Sequence, residues 1–389
     1  MTEIKHICQH CVVPNNFLGV SLNGEGLCNY CQDASYKTIN WWKVDIDEAL
    51  RRKSLKDWNK VVHSMQKNHG ALEYDCILGY SGGKDSTALV DTFVNEYGLN
   101  PLLITIDTGF MTEVAKQNIK DTLTKMNLFE NHIFIEEAIP VFTKLYKYFF
   151  FHHTSQELAL TIKICPVCTD LIHTILVKEA LKRRIPYVMI GFSPDQIKRY
   201  FYETSKENTI EDGIPDEEFR QVLNPQDVTW YLTEDEIDSG NIPRVLYPYH
   251  VIDYDENEII ERIESKGLIA KGKGDPVITN CHVVKAALMY DLYRYGGVTY
   301  ILQYAELVRQ QKTDEERKKS RSQWLRVYNQ VSRAILKGTF SVEGINLFLE
   351  KIGTTKEELL NSIIAQRNAD PNKVQILQNL ELLRRKRLK

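Results

Sequence analysis

EYDCILGYSGGKDSTALVDTFVNEYG, residues 73–98, joins a short apolar run, a glycine turn and an amphipathic segment. The apolar run 76–80 predicts a buried strand, and apolar side chains at helical spacing from Leu89 to Tyr97 predict a helix that ends at Gly98. A helix N-terminus offers unpaired N–H groups and a positive dipole end, and glycines let an anion approach the backbone closely. A tight turn capped by Asp or Ser is the alternative. The order of strand, glycines, hydroxyls and helix favours a phosphate-binding loop.

The residues at this junction narrow the kind of nucleotide chemistry. The Walker pattern G-x-x-x-x-G-K-[ST] is absent, and no G-x-G-x-x-G follows the strand. The junction instead resembles the PP-loop, the S-G-G-x-D-S signature of ATP pyrophosphatases. All five defined positions match, at Ser81, Gly82, Gly83, Asp85 and Ser86. The resemblance implies that the loop holds the β,γ-pyrophosphate of ATP and that cleavage falls between the α and β phosphates.

The same resemblance implies roles for other side chains in and near the loop. Lys84, together with Mg²⁺, offsets the charge of the departing pyrophosphate. Asp85 binds Mg²⁺ or organises the loop, and the hydroxyl of Thr87 belongs to the same nucleotide-binding set. Asp107 follows the second predicted strand and orients the nucleotide.

Length and composition are those of an ordinary soluble protein. The 389 residues are enough for two or three units with their own cores, and 43% are hydrophobic and 26% charged. The net charge of −3 argues against a nucleic-acid footprint over the whole chain, and the basic tail 384–389 is either a local patch or a solvated terminus. No apolar run approaches the ~18 residues of a membrane span, and no signal-peptide pattern opens the chain. We therefore expect a cytoplasmic protein that binds no membrane.

Beyond the loop, apolar runs alternate with helical patterns. Strands are expected at 101–109, 131–137 and 187–193, and a helix at 169–186. This order predicts the α/β class, with a parallel sheet, helices on both faces and ligands beyond the carboxyl ends of the strands. Gly82, Asp107 and Ser193 would lie at those ends. The PP-loop resemblance implies an adenine nucleotide alpha hydrolase-like fold.

Changes of composition divide the chain into four expected segments. The first holds four cysteines with little periodicity, and the last is mostly helical. Residues 204–240 are acidic and carry glycines and prolines, so we expect a long irregular insertion there. The segments are a zinc-ribbon module at 1–40, a helical connector at 41–72, a PP-loop ATP-binding α/β domain at 73–240 and a mostly helical C-terminal region at 241–389.

Four of the eight cysteines have the spacing of a structural zinc site. Cys8-x2-Cys11 and Cys28-x2-Cys31 are separated by sixteen residues, which is the pattern of a zinc ribbon. Four thiolates close a tetrahedral site without an open position, so the predicted Zn²⁺ is structural. Four unrelated cytosolic thiols are the alternative.

Cys165, Cys168 and Cys281 form a second candidate set. The C-x2-C of ICPVCTD precedes the helix expected from Thr169, whose N-terminus would lower the pKa of the thiols. With Cys281, three thiolates could hold a [4Fe–4S] cluster with one open iron, or zinc with a further ligand such as His282. The order of the cysteines resembles that in PP-loop tRNA thiolation enzymes, where such a cluster binds sulfide, and implies a catalytic metal centre. A redox-inactive pair plus a buried thiol is the alternative.

Motifs along most of the chain occur in the order of one branch of these enzymes. They are CQHCVVP, GEGLCNYC, YDCILGYSGGKDS, CPVC and DPVITNC, over roughly residues 6–285. In this order they resemble the N-acetyl sugar amidotransferases of bacterial surface polysaccharide (lipopolysaccharide) and nonulosonic acid biosynthesis. The stretch GFSPDQIKRY departs from the Gly-Glu-Asn type sequence of that branch after the fourth strand. The resemblance implies ATP-dependent conversion of a sugar N-acetyl group into an acetamidino group, with AMP displaced by ammonia.

The resemblance also implies partners. No glutaminase nucleophile is apparent in the sequence, so we expect a glutaminase subunit to supply ammonia for a small-molecule sugar substrate. Nucleic acid is expected as a partner only in the alternative, sulfur transfer to a tRNA base or a small molecule by the second cysteine set. A nucleotide-sensing protein without catalysis is a third interpretation, which the intact loop disfavours. We expect a homo-oligomer.

Overall fold

The computed structural model describes residues 6–32, 48–156, 158–193, 202–274 and 281–385. Parts of five expected features lie outside the described residues. They are the zinc-ribbon module at 1–5 and 33–40, the connector at 41–47, the loop after the fourth strand at 194–201, the stretch DPVITN at 275–280 and the end of the basic tail at 386–389. The chain divides into two compact units. The α/β unit comprises Asn40–Lys144 and Val167–Cys281, and the helical unit comprises Met1–Ile39, Leu145–Pro166 and His282–Lys389.

One six-stranded sheet forms the centre of the α/β unit, with the strand order β3-β2-β1-β4-β6-β5. The strands are β1 Cys76–Gly79, β2 Pro101–Ile106, β3 His132–Ile135, β4 Tyr187–Ile190, β5 Glu203–Thr204 and β6 Arg244–Leu246. The first four and β6 pair in parallel, and β5 pairs antiparallel with β6 at one edge. The expected parallel sheet is confirmed, and β5 and β6 add two strands that the sequence patterns did not predict.

Helices connect these strands and build the helical unit. Up to the last strand they are α1 Asn29–Gln32, α2 Glu48–Lys67, α3 Lys84–Asp91, α4 Glu113–Met126, α5 Ile139–His152, α6 Leu160–Arg183, α7 Lys206–Asp212, α8 Glu217–Arg220, α9 Pro225–Val228 and α10 Glu234–Asp238. After it they are α11 Glu256–Ser265, α12 His282–Tyr295, α13 Tyr300–Arg309, α14 Asp314–Lys337, α15 Val342–Lys351, α16 Lys356–Asn368 and α17 Lys373–Arg384. A π-helical turn at Thr92–Glu96 extends α3.

Helices cover both faces of the sheet. On one face, Cys76 and Leu78 of β1 belong to a buried cluster with side chains of α2, α3, α4 and α11. On the other face, a methyl group added at Gly79 would lie 3.0 Å from Leu176 Cδ1, so α6 packs there at close range. Successive strand residues point to opposite faces, and the reversal of strand order after β3 moves the next crossover to the opposite face. The expected α/β class is therefore confirmed.

Helix α6 begins earlier than the expected start at Thr169, so Cys165 and Cys168 lie inside the helix. Its N-terminus is stabilised by the buried carboxylate of Asp291 on α12, which accepts a hydrogen bond from the backbone N–H of Leu160 at 2.9 Å. The helix dipole acts within the first turn. The expectation that these two cysteines precede the N-terminus of the helix is therefore wrong.

By length and composition, α6 could cross a membrane, and it is the one such helix among the described residues. The expectation that no apolar run approaches that length is therefore wrong. Half of its most apolar window is buried inside the protein. The helix packs against β1 through Leu176, and such packing against the sheet accounts for its apolar composition.

The acidic segment 204–240 forms four short helices rather than one irregular insertion. Each of them begins at a residue whose side chain accepts a hydrogen bond from the first turn, at Ser205, Asp216, Asn224 and Thr233. Such caps stabilise a short helix locally, in spite of the glycines and prolines between helices.

The unit boundaries also differ from the expected segments. The expected border at residue 240 falls inside the α/β unit, which keeps β6 and α11. Residues 145–166, expected within the ATP-binding domain, belong to the helical unit. The start of α6 belongs to the helical unit because Asp291 of that unit accepts a hydrogen bond from the backbone N–H of Leu160.

Candidate nucleotide-binding site and metal centre

Two adjacent glycines with different surroundings shape the loop between β1 and α3. Gly82 has φ +72°, and a methyl group built on it would lie 2.4 Å from the carbonyl oxygen of Ala115. Gly83 has φ −80° and ψ 164°. A methyl group built on Gly83 would lie 3.5 Å from Ser81 Oγ. Among the described residues, no other atom outside the two neighbouring residues lies within 4 Å of it. Position 82 therefore requires glycine for the fold, whereas at position 83 glycine leaves open space beside the backbone.

The first turn of α3 presents backbone donors next to this open space. Gly83 is the N-cap residue, and no side chain caps the helix. Within the described residues, the backbone N–H groups of Lys84, Asp85 and Ser86 have no acceptor. The Ser86 hydroxyl donates to the Gly83 carbonyl oxygen at 3.2 Å and lies 3.2 Å from Ser81 Oγ. A helix N-terminus with unpaired donors can bind an anion such as phosphate.

Lys84 and Asp85 form a buried ion pair beside this turn. Lys84 Nζ donates to Asp85 Oδ2 at 2.7 Å and to Tyr254 Oη at 3.2 Å. Glu256 Oε1 lies 3.4 Å from the same ammonium. Burial alone would lower the pKa of Lys84, but the charge of Asp85 and the contact with Tyr254 outweigh it and raise that pKa, so Lys84 stays protonated. Burial raises the pKa of Asp85 despite the opposing charge of Lys84.

The segment 248–274, here called the covering segment, lies over the loop. Tyr249 Oη donates to the backbone carbonyl oxygen of Asp85 at 2.8 Å. At the other end of the segment, a methyl group added at Gly274 would lie 3.5 Å from Lys84 Cβ. Lys84 is consequently only 5% exposed.

Hydrogen bonds and ion pairs anchor the covering segment to α3 and α4. The contacts are Lys266 Nζ to Asp91 Oδ2 at 2.7 Å, Thr122 Oγ1 to the Leu268 carbonyl at 2.8 Å and Asn118 Nδ2 to the Lys273 carbonyl at 3.0 Å. Asn118 Nδ2 also donates to the Gly82 carbonyl at 3.0 Å. The sequence analysis missed these residues together with Tyr249, Tyr254 and Glu256. No motif marks them, and 164 positions separate Asp85 from Tyr249.

Gly191 is a further position that the sequence analysis missed. It follows β4, and a methyl group there would lie 3.1 Å from Ser86 Cα and 3.2 Å from Ser86 N. Glycine therefore lets the end of β4 approach the first turn of α3. The available signal was a glycine directly after a predicted strand.

Three other expected site residues also follow β1, β2 and β4, but their side chains are engaged or buried. Asp107 Oδ1 accepts the Gly109 N–H at 2.7 Å, and Oδ2 lies 3.2 Å from Lys116 Nζ. One carboxylate oxygen thus holds the turn after β2, and the other pairs with Lys116 on α4. Thr87 is fully buried, and Ser193 is 4% exposed. Direct contact of Asp107 and Thr87 with a nucleotide stays a prediction.

The second cysteine set is only partly arranged as expected. Cys165 and Cys168 are half-buried and three residues apart on α6, a spacing that places two side chains on one helix face. Cys281, also half-buried, directly precedes α12. No disulfide joins any of the eight cysteines. Among the described residues, these three thiols are not a group with ligand atoms within 4.8 Å of one another. A common site for them stays a prediction.

Cys8, Cys11, Cys28 and Cys31 come together in the helical unit. Their Sγ atoms all lie within 4.8 Å of one another, and Cys11 Sγ is 3.7 Å from Cys28 Sγ. Tetrahedral zinc with Zn–S bonds of about 2.3 Å places its sulfurs about 3.8 Å apart. The backbone N–H groups of Cys28 and Cys11 donate to Cys8 Sγ at 3.3 and 3.5 Å, which favours a thiolate. The four thiols therefore fit one tetrahedral metal ion.

Two arginines of the helical unit contact this cysteine module. Arg321 on α14 donates from Nε to the Cys11 carbonyl at 2.7 Å and from Nη2 to the Cys8 carbonyl at 2.9 Å. The guanidinium of Arg309 on α13 lies 5.6 Å from the centre of the Tyr30 ring. Burial would lower the pKa of Arg309, but the charge of Cys11 leads the effects that raise it. These contacts dock the module through its backbone and offset the charge of its thiolates.

Comparison with known proteins gives limited matches. No protein-family profile matches the chain. Uncharacterized protein MJ1599 of Methanocaldococcus jannaschii is 33% identical over 66 residues, which are 17% of this chain and 23% of that protein, so the chain spans under a quarter of that relative. The solved structure of the U34-tRNA thiolase NcsA from Methanococcus maripaludis with its [4Fe–4S] cluster is 15% identical, with a TM-score of 0.35 over 85% of this chain and 89% of that chain. Neither similarity assigns the chain to a family.

Proposed function

We propose that the protein is an ATP pyrophosphatase-type enzyme of the PP-loop superfamily, which adenylates an acceptor and releases pyrophosphate. The observation that carries the proposal is the junction of β1 and α3. There an interior strand of a parallel sheet ends at a glycine turn, and the following helix has no side-chain cap on its backbone donors. Such a junction binds phosphate oxygens, at the sheet edge where α/β enzymes hold their ligands.

The residues around the loop suit pyrophosphate as the leaving group. The N–H groups of the first turn of α3 bind and orient it, and the protonated ammonium of Lys84 offsets its charge. Mg²⁺, when held by Asp85, supplies Lewis-acid stabilisation of the same charge. The covering segment shields Lys84 and Asp85 from water, which strengthens these interactions.

We further propose an amide oxygen of a sugar N-acetyl group as the acceptor. The order of motifs shared with N-acetyl sugar amidotransferases supports this choice. The amide oxygen bonds to the α-phosphorus while the bond between the α-phosphorus and the bridging oxygen breaks, and pyrophosphate leaves. Ammonia then adds to the former amide carbon, loses a proton and displaces AMP, which carries the oxygen away. A glutaminase partner and a role in lipopolysaccharide biosynthesis belong to this proposal.

Sulfur transfer is the second candidate, because two thiols share one face of α6. Cys165 and Cys168 are half-buried, as is Cys281 at the end of the α/β unit. Three thiolates suffice to ligate a [4Fe–4S] cluster that leaves one iron open. The same adenylation would then activate an RNA base or a small molecule for a sulfur nucleophile.

Product analysis tests the common step. The protein incubated with ATP, Mg²⁺, ammonium and an N-acetyl sugar should release pyrophosphate on adenylation and AMP when ammonia displaces it. ADP as the product would contradict both candidates. Iron and acid-labile sulfide, measured after anaerobic purification, separate the candidates. A Cys165→Ser, Cys168→Ser double variant should keep ammonia-dependent AMP release under the amidation proposal and lose all transfer under the thiolation proposal.

A further inference from the structure

The ammonium of Lys84 lies among oxygen atoms from two distant segments of the α/β unit. The distance from Nζ is 2.7 Å to Asp85 Oδ2, 3.2 Å to Tyr254 Oη and 3.4 Å to Glu256 Oε1. Lys84 is also the first residue of α3, where the positive end of the helix dipole disfavours a cation. These oxygens therefore hold the ammonium in place against the helix dipole.

The charges at this site sum to about −1 even while the ammonium of Lys84 is present, because two carboxylates face one cation. Asp85 and Glu256 contribute two carboxylates, and Lys84 contributes one ammonium. A lysine that offsets the charge of pyrophosphate must direct its ammonium to the phosphates. Once Lys84 turns away, two neighbouring carboxylates remain without a counter-charge, and such a pair repels.

We propose that Asp85 and Glu256 form a divalent-cation site that Lys84 occupies in the free protein and leaves when ATP binds. The inference rests on the proposed function, because it takes nucleotide binding as the event that moves Lys84. It assigns Glu256 a metal-binding role and makes Lys84 and Mg²⁺ alternative occupants of the same oxygens.

The donor set fits Mg²⁺. This ion prefers oxygen ligands and is commonly held by one or two carboxylates together with water and substrate phosphates. The Asp85 side chain is 11% exposed and the Glu256 side chain 55%, so one ligand is fixed and the other has room to adjust beside water. Tyr254 Oη donates to Asp85 Oδ1 at 2.9 Å, which leaves Oδ2 directed at the cation.

Binding of Mn²⁺ alone, followed by electron paramagnetic resonance, tests the exchange without nucleotide. Lys84→Met removes the competing ammonium, and we expect the variant to bind Mn²⁺ at least tenfold more tightly than the wild type. Adding Glu256→Gln to Lys84→Met should abolish the gain. Adding Glu258→Gln, an exposed position on the same helix, should preserve it. Equal Mn²⁺ affinity of Lys84→Met and wild type would overturn the proposal.

A second measurement keeps Lys84 in place, so it does not depend on how well the lysine variant folds. The full-length protein is titrated with Mn²⁺ in the presence of α,β-methylene-ATP. Glu256→Gln should weaken Mn²⁺ binding at least tenfold, and Glu258→Gln should leave it unchanged. Equal weakening in the two variants, or none in either, would refute the site. Failure of the wild type to bind the nucleotide at all would instead refute the proposed function.

Discussion

A methyl group added at each of the two loop glycines should separate folding from nucleotide binding. In Gly82→Ala, an L residue takes φ +72°, a conformation that costs about 1–2 kcal/mol. Its Cβ would lie 2.4 Å from the Ala115 carbonyl oxygen, which belongs to the backbone of α4 and cannot rotate away. Overpacking of this kind adds about 1–3 kcal/mol. We therefore expect the free energy of unfolding to fall by about 2–5 kcal/mol.

Gly83→Ala introduces the same group without strain. The backbone at φ −80° and ψ 164° suits any residue, and the 3.5 Å contact with Ser81 Oγ is an ordinary one. The free energy of unfolding should change by less than about 1 kcal/mol. The methyl group occupies space beside the donors of α3 that the phosphates require, so ATP affinity should fall at least about tenfold, or about 1.4 kcal/mol.

Both quantities can be measured on the same preparations. Urea unfolding followed by tryptophan fluorescence gives the stability of each variant without nucleotide, and isothermal titration calorimetry with α,β-methylene-ATP gives its affinity. A Gly83→Ala protein that binds the nucleotide as tightly as the wild type would refute the phosphate-binding role of the loop. A Gly82→Ala protein as stable as the wild type would refute the steric reasoning.

Metal loss and pH should act on the helical unit. Cys28→Ser removes one of the four thiolates of the predicted zinc site. Metal analysis should then show loss of bound zinc, and proteolysis should cut the N-terminal module, because metal binding stabilises its fold. ATP affinity should be unchanged, and retained zinc would contradict the predicted site. Burial raises the pKa of Asp291 from 3.8 to about 6, so the folded protein binds more protons than the unfolded chain within that window and loses stability as the pH rises through it. Asp291→Asn should lack this loss, and its stability relative to the wild type should shift by up to about 3 kcal/mol between about pH 4 and 7; parallel stability curves of the two proteins would exclude this assignment.

Short-range patterns in the sequence determined the parts of the protein whose chemistry lies within a few neighbouring residues. The strand, the glycine turn and α3 follow one another directly, and the glycines at 82 and 83 are already recognisable as a loop that an anion can approach. The C-x2-C pairs likewise predicted the module of Cys8 and Cys28, because two short knuckles bring their own thiols together. The alternation of apolar runs and helical patterns predicted the parallel sheet. The strands of such a sheet are buried on both faces, so each of them appears in the sequence as a continuous apolar run.

Only the tertiary structure decided features that depend on residues far apart in the chain. The start of α6 is capped by Asp291, 131 positions away from Leu160, so no local signal at Leu160 could reveal it. The surroundings of Lys84 depend in the same way on Tyr254, 170 positions away, and on Glu256. These contacts leave no periodic pattern in the sequence, because each is made by a single side chain on a separate segment. The fold brings such segments together through the burial of their apolar residues, and the polar contacts at the site follow from that packing.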